Sequence, residues 1–242
     1  MAKFCTKCGK KLEEVRVCDC LTDVKDAIIS EPNKRKDIDF QKYLDLFFDV
    51  AKGIFMKPID TIKKYATEEN FDFGVIAIFL NSIIFGIMFY FLVEESMSYV
   101  NGMMGLTSLG YGLIYGEISF FKILVYAILF MAVFFFGIGI MIHFMNSIIF
   151  KGDSSIKRAI SLVGVCSVLT TVTSVVGLIC LFVSIKLFGI VVGLAGVLYL
   201  CHLYHGVQIV FKVDENKQGY IFLATIVAVM ILVSYVLPEI LF

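Results

Sequence analysis

Charge is nearly missing from this chain after residue 70. Of its 21 Lys and Arg residues, 14 fall in residues 1–70 and 7 are spread over the remaining 172. Five long stretches of that later part hold no Asp or Glu at all. Acids buried in the membrane mark most proton- and ion-coupled transporters, so their absence argues against that class. Proline is missing from the interior of the same stretches. That removes the broken helices from which many transporter sites are built. There is no H-E-x-x-H run, no P-loop pattern, and no nucleophile accompanied by a base. Nothing in the residues therefore points to an enzyme. The formal net charge is zero, which excludes an overall basic field for nucleic acid. The opening residues, Met1-Ala-Lys-Phe-Cys5, lack the apolar core of a secretory signal.

What is present is apolar. Hydrophobic residues make up 59% of the chain and mean hydropathy is +0.89, against about 45–50% apolar in soluble domains. A helix needs about 20 apolar residues to cross a bilayer. Residues 73–93, 123–150 and 220–237 each suffice. Residues 159–211 form one nearly unbroken run. As a single helix it would be roughly 80 Å long, far beyond a hydrocarbon core of about 30 Å. It must fold back, and Lys186 is the only charge available to mark the turn, giving segments 159–183 and 187–211. The expected fold is all-α: a polytopic membrane protein of about five transmembrane helices with a small N-terminal zinc-ribbon-like module. The chain divides into that module at 1–20, a polar linker at 21–37, amphipathic juxtamembrane helices at 38–70, and the bundle at 71–242.

Orientation follows from where the cations lie. With the N-terminus inside, every Lys and Arg except Lys122 and Lys186 falls on the inner side, as the positive-inside rule requires. The expectation is a multi-pass protein of the cell membrane, N-terminus cytoplasmic and C-terminus outside. The outer loop 94–119, with Glu94, Glu95, Glu117 and Met103-Met104, reads first as a connector and second as a cap.

Residues 38–56 carry Phe40, Tyr43, Leu44, Phe47, Ala51, Ile54 and Phe55 at helical spacing, with Lys42, Asp45, Asp49 and Lys52 opposite. Such a helix can lie on the bilayer or pack on the protein's own core; the spacing alone leaves both open. Lys57-Pro58 ends it, and a short helix is expected from Pro58.

Cys5-Thr-Lys-Cys8-Gly9-Lys10 has the form of a zinc knuckle, two thiolates around a tight turn relieved by glycine. Cys18 and Cys20 follow as a C-x-C pair, tighter than the usual C-x-x-C. Four cysteines in 20 residues predict a structural Zn²⁺ held by Cys5, Cys8, Cys18 and Cys20, although the second pair could supply only one ligand. A closed four-ligand site has no open position for catalysis. Disulfides are not expected in a module that faces the reducing cytosol.

His143, His202 and His205 fall at similar depth, roughly 10–15 Å from the inner ends of their segments by helical rise. They form a candidate polar site for a metal or a proton, or else ordinary interhelical hydrogen bonds. Asn81 and Asn146 lie in the same inner half. Ser161, Ser167, Thr170, Thr171, Thr173 and Ser174, together with Gly189, Gly193 and Gly196, read as close helix packing within the chain or between chains, which leaves a homo-oligomer open. Cys166, Cys180 and Cys201 read as packing residues.

From residue 38 onward the chain resembles the Yip family of small membrane proteins, in the bacterial form that follows a zinc ribbon. The resemblance rests on the helix before the membrane, on Lys57-Pro58-Ile-Asp-Thr-Ile62, on the basic inner loop Lys157-Arg158-Ala159-Ile160-Ser161, and on five spans. Eukaryotic members of the family resemble adaptors for small GTPases. Their Asp-Leu-Tyr-Gly-Pro motif is absent here, so that role does not carry over. The resemblance implies a non-enzymatic scaffold in the lipid bilayer whose cytosolic zinc module docks a protein partner. A small-solute or metal transporter using the histidines is the alternative.

Overall fold

The computed structural model describes residues 3–4, 11–12, 40–104 and 120–241. The chain forms two compact units, Met1–Gln41 and Lys42–Phe242. In the first, strands β1 (Lys3–Phe4) and β2 (Lys11–Leu12) pair antiparallel, with Lys3 opposite Leu12 and Phe4 opposite Lys11.

The second unit is helical: α1 (Phe40–Met56), α2 (Pro58–Tyr65), α3 (Phe71–Met104), α4 (Phe120–Phe144), α5 (Ile156–Val183), α6 (Ile185–Phe211) and α7 (Glu215–Leu241). Among the described residues, four helices are long and apolar enough to cross a membrane: α3 over Phe71–Ser96, α4 with its π-helical extension over Phe120–Ile149, α5 and α6. The fifth expected span lies within α7, which is helical over Glu215–Leu241.

Helix α5 is the centre of the bundle. It packs against α3, α4 and α6, and Ala159, Leu162, Val163, Val165, Cys166, Val168 and Leu169 have no exposed surface. Small residues explain this position. A Cβ at Gly164 would land on the backbone of Gly74, and one at Gly74 would sit 2.8 Å from the Cα of Ser161. Only glycine at both sites lets α3 and α5 cross this closely. The outward faces of the other helices remain apolar: Leu129, Val133, Ile190, Leu194 and Leu223 are all more than half exposed. In water such faces would aggregate; here they form the surface that contacts hydrocarbon.

Three sequence expectations change in detail. The loop expected at 94–119 begins as helix, because α3 runs on to Met104; Glu94 and Glu95 lie within the helix, not at its end. The reversal between the third and fourth segments falls at Ser184, extended at φ −166 and ψ 129. Lys186, expected to mark that turn, is in the first turn of α6 instead. The second span does not run as plain α-helix to Phe150: Met145–Ile149 is π-helical. The Phe150 amide donates to Met145 O at 3.1 Å, and Lys151 follows at positive φ.

Candidate functional site

One end of the bundle is built from the segments that carried the family resemblance. Pro58 opens α2, where its missing N–H costs nothing. The Thr61 hydroxyl donates to Lys57 O at 2.8 Å and packs against Gly53 of α1. Ile62 is buried beside Ala66 in the main core. The basic loop meets this base: Arg158 pairs with Glu68 at 3.2 Å, and the Ser161 hydroxyl donates to Tyr65 O at 3.2 Å. The second motif thus docks on the turn Tyr65–Asn70, a few residues beyond the first motif in the sequence.

Helix α1 takes the second of its two readings: it packs on the protein's own core. Val50 and Ile54 are buried in the main core, with Tyr43, Leu46, Phe47 and Ala51 packed against it. Phe48 and Met56 stay exposed, as does Phe55, which the helical spacing placed on the inner face. A relay ties α1 to α2. The Lys64 ammonium donates to the Tyr65 hydroxyl at 2.7 Å, which donates to Asp49 Oδ2 at 2.8 Å. The Tyr65 hydroxyl, with Asp49 beyond it, holds Lys64 protonated above the ordinary lysine range.

The histidines do not converge. His143 Nδ1 lies 3.1 Å from Ser154 Oγ, at the inner loop. His202 reaches Leu198 O through Nδ1 at 2.6 Å and Ile54 O through Nε2 at 3.3 Å. A ring has a single proton when neutral, so its tautomer decides which carbonyl receives it. His205 is exposed and stands edge-on to the Tyr204 ring. Among the described residues no three His, Cys, Asp or Glu side chains come close enough to share a metal ion. Cys166 is buried, Cys180 half-buried and Cys201 exposed, all as free thiols. Cys5, Cys8, Cys18 and Cys20 lie outside the described residues.

The polar residues of α5 do work inside the bundle. The Asn81 amide oxygen on α3 lies 3.0 Å from the Thr170 hydroxyl and 3.2 Å from that of Thr171. Beside it a cavity of about 340 Å³ lies between α3, α4, α5, α6 and α7. Its wall is almost wholly apolar; Asn81, Thr170, Thr173, Ser174, Tyr199 and Thr225 are the polar exceptions. The Asn81 amide nitrogen and the Tyr199 hydroxyl are buried without a hydrogen-bond partner. Sequence reading noticed Asn81 but missed Tyr199, because a tyrosine in an apolar run usually reaches an interface. A polar crevice of about 490 Å³ opens at the same end of the bundle as Arg158, lined by Asn146, Asp153, Arg158, Lys212, Asp214 and Lys217 among others. Its cations are partly neutralised: Arg158 by Glu68 and Asp153, Lys217 by Asp214 at 3.7 Å.

Comparison with known families matches residues 52–237, about three quarters of the chain, to the Yip1 domain. No curated protein and no solved structure matches.

Proposed function

This chain belongs to the Yip1 domain family, and from that premise we propose that it serves as a non-enzymatic scaffold in the membrane. The bundle provides the platform, and the N-terminal module presents a docking surface to a cytosolic protein. One observation carries the reading: among the described residues the bundle core contains polar side chains such as Asn81, Ser161 and Thr171 but no buried Asp, Glu, Lys, Arg or His. The chain would cross the membrane five times, with α7 as the last crossing, its N-terminus in the cytosol and its C-terminus outside. The distribution of Lys and Arg supports that orientation.

The N-terminal module would be held by zinc on Cys5, Cys8, Cys18 and Cys20. The pairing of Phe4 with Lys11 supports this, since it brackets the Cys5–Lys10 knuckle with two strands, the local arrangement a knuckle ligand pair uses. Two-residue strands cannot stabilise a fold of this length alone, so the metal would supply its folding energy.

Metal per purified chain, measured by elemental analysis, tests both readings. About one zinc per chain is expected in the wild type, lost in Cys5→Ser and kept in the triple variant His143→Ala, His202→Ala, His205→Ala. Partner cross-links should disappear with the zinc. No zinc in the wild type sinks the module. A second metal that leaves only with the histidines favours a transporter.

A further inference from the structure

Core packing uses one side of α1 and leaves the opposite side apolar. Val50 and Ile54 are buried against the bundle. On the other side Phe48 and Phe55 lie seven residues apart, two helical turns, and so share a face. Phe55 is 50% exposed, and at the α1–α2 corner Met56 is 71% and Ile59 53% exposed. Large apolar side chains grouped in this way mark a surface that something covers.

The helix contacts fix the depth of that surface. A Cβ at Gly74 of α3 would lie 2.8 Å from the Cα of Ser161 in α5. A Cβ at Gly206 of α6 would meet Leu162 of α5 and Ile62 of α2. Gly74, Ser161, Leu162, Gly206 and Ile62 therefore share one level of the bundle. Helix α3 enters the membrane just before that level. Glu68 and Glu69 are exposed ahead of it, and its apolar span begins at Phe71, three residues before Gly74. Since α6 runs opposite to α3, His202 lies four residues beyond Gly206 in the direction of the far side. The two steps together amount to about 10 Å of helical rise past Phe71. His202 Nε2 lies 3.3 Å from Ile54 O. The end of α1 is thus pinned alongside a span, below the plane at which α3 enters. Interfacial helices sink their apolar faces to this depth, about 5–10 Å. A partner dissolved in water does not reach it.

Charge points the same way. Residues 52–64 carry Lys52, Lys57, Lys63 and Lys64 against the single acid Asp60. All four lysines are exposed. Their long apolar stems let the ammonium groups rise to the phosphates while the neighbouring Phe55, Met56 and Ile59 stay among the acyl chains.

We infer that the α1–α2 corner is an anchor sunk into one leaflet and selective for anionic phospholipid. Phe55, Met56 and Ile59 enter the upper part of the acyl chains, and Lys52, Lys57 and Lys63 engage the head groups. Lys64 adds charge while its ammonium remains on the Tyr65 hydroxyl.

The chain has no tryptophan, so Phe55→Trp supplies a single fluorescent probe at the corner. The full-length variant is placed in phosphatidylcholine vesicles, and its emission is quenched with iodide from the water or with brominated acyl chains from the bilayer. Leu194→Trp, exposed on α6, gives the hydrocarbon reference, and Asp153→Trp, in the loop before α5, gives the water reference. Phe55→Trp should be quenched by bromines near the carbonyl end of the chain and protected from iodide. Leu194→Trp should prefer bromines nearer the chain end. Iodide quenching of Phe55→Trp equal to that of Asp153→Trp overturns the inference, since the face then lies in water. Protection from both quenchers overturns it too, because protein then covers the face. The selectivity arm compares brominated phosphatidylglycerol with brominated phosphatidylcholine, each as a minor component. Phosphatidylglycerol should be enriched about fivefold beside Phe55→Trp for each lysine that engages it. Adding Lys52→Gln, Lys57→Gln and Lys63→Gln should bring the two lipids close to level. Equal quenching by the two lipids with all lysines present overturns the anionic selectivity, and that result needs no lysine variant to fold.

Discussion

Gly164→Ala should loosen the bundle more than any comparable change at the glycines of α6. The two readings of this chain rank the positions in opposite order. By sequence, Gly189, Gly193 and Gly196 form the small-residue face that helix packing favours. In the structure nothing lies within 4 Å of a Cβ added at any of the three, whereas a Cβ at Gly164 meets the backbone of Gly74. Backbone cannot rotate aside as a side chain can, so α3 and α5 must separate. The residues between them, Ile78, Leu162, Val165 and Leu169, are fully or almost fully buried and would lose contact together. Overpacking of this kind costs about 1–3 kcal/mol. In a chain of this size that lowers Tm by roughly 2–12 °C. The assay is thermal unfolding of the detergent-solubilised protein, followed by size-exclusion recovery after heating. Gly193→Ala is the control and should stay within about 0.5 kcal/mol, as exposed substitutions do. Equal losses for the two variants would refute the argument. A larger loss for Gly193→Ala, accompanied by a smaller particle, would mean that the α6 face is an interface between chains.

Tyr65→Phe removes the middle of the Lys64–Tyr65–Asp49 relay and should cost about 1 kcal/mol for the lost hydrogen bond to the Asp49 carboxylate. Because the folded state raises the pKa of Lys64, the relay's contribution through that group is present at neutral pH and fades only as pH climbs through the raised value. Thermal unfolding of wild type and variant should therefore differ by a constant amount across the neutral range, and the difference should narrow only under strongly alkaline conditions. Ser184→Pro should disrupt the α5–α6 reversal, since φ −166 is closed to proline and the Ser184 amide donates to Cys180 O at 2.8 Å. Lys186→Gln should leave the melting temperature nearly unchanged, and the pair separates a turn set by the backbone from one set by the charge.

The sequence makes the membrane architecture easy to read and the interior hard. Spans are legible because their signal is summed over some twenty residues, and a misjudged residue or two does not change the sum. The Lys57–Ile62 and Lys157–Ser161 segments are legible as motifs, yet nothing in either says that the second docks just beyond the first. That needs Arg158 beside Glu68 and Ser161 beside Tyr65 O, contacts across about ninety residues. The histidines show a specific limit of depth as a guide. Equal depth along two helices says nothing about rotation around them, and rotation turns His205 outward while His202 turns toward α1. Rotation also separates Gly164 from Gly193. Both are glycines in apolar helices, and the hydrophobic pattern of a buried span has too little asymmetry to reveal which one faces a neighbour.

The same weakness hides the cavity. In a water-soluble protein, a polar residue on an apolar helix face stands out against a stripe of neighbours. In a membrane bundle both the inward and the lipid-facing sides are apolar, so Tyr199 has no contrasting background. What distinguishes it is the missing partner. Thr225, also buried in the cavity wall, returns its hydroxyl to Ile221 O at 2.7 Å, and Ser167 to Gly164 O at 2.7 Å. Helices routinely absorb such hydroxyls, because the carbonyl one turn back lies within reach of a short side chain. A phenol is too long and rigid to bend back in this way, and an asparagine amide has two ends to satisfy. Within a span, then, serine and threonine are weak indicators of a binding site, whereas tyrosine and asparagine must look outside their own helix. Asn81 meets α5 with one end of its amide. The other end and the Tyr199 hydroxyl are buried without a hydrogen-bond partner, which is what sets these two residues apart from the serines and threonines around them.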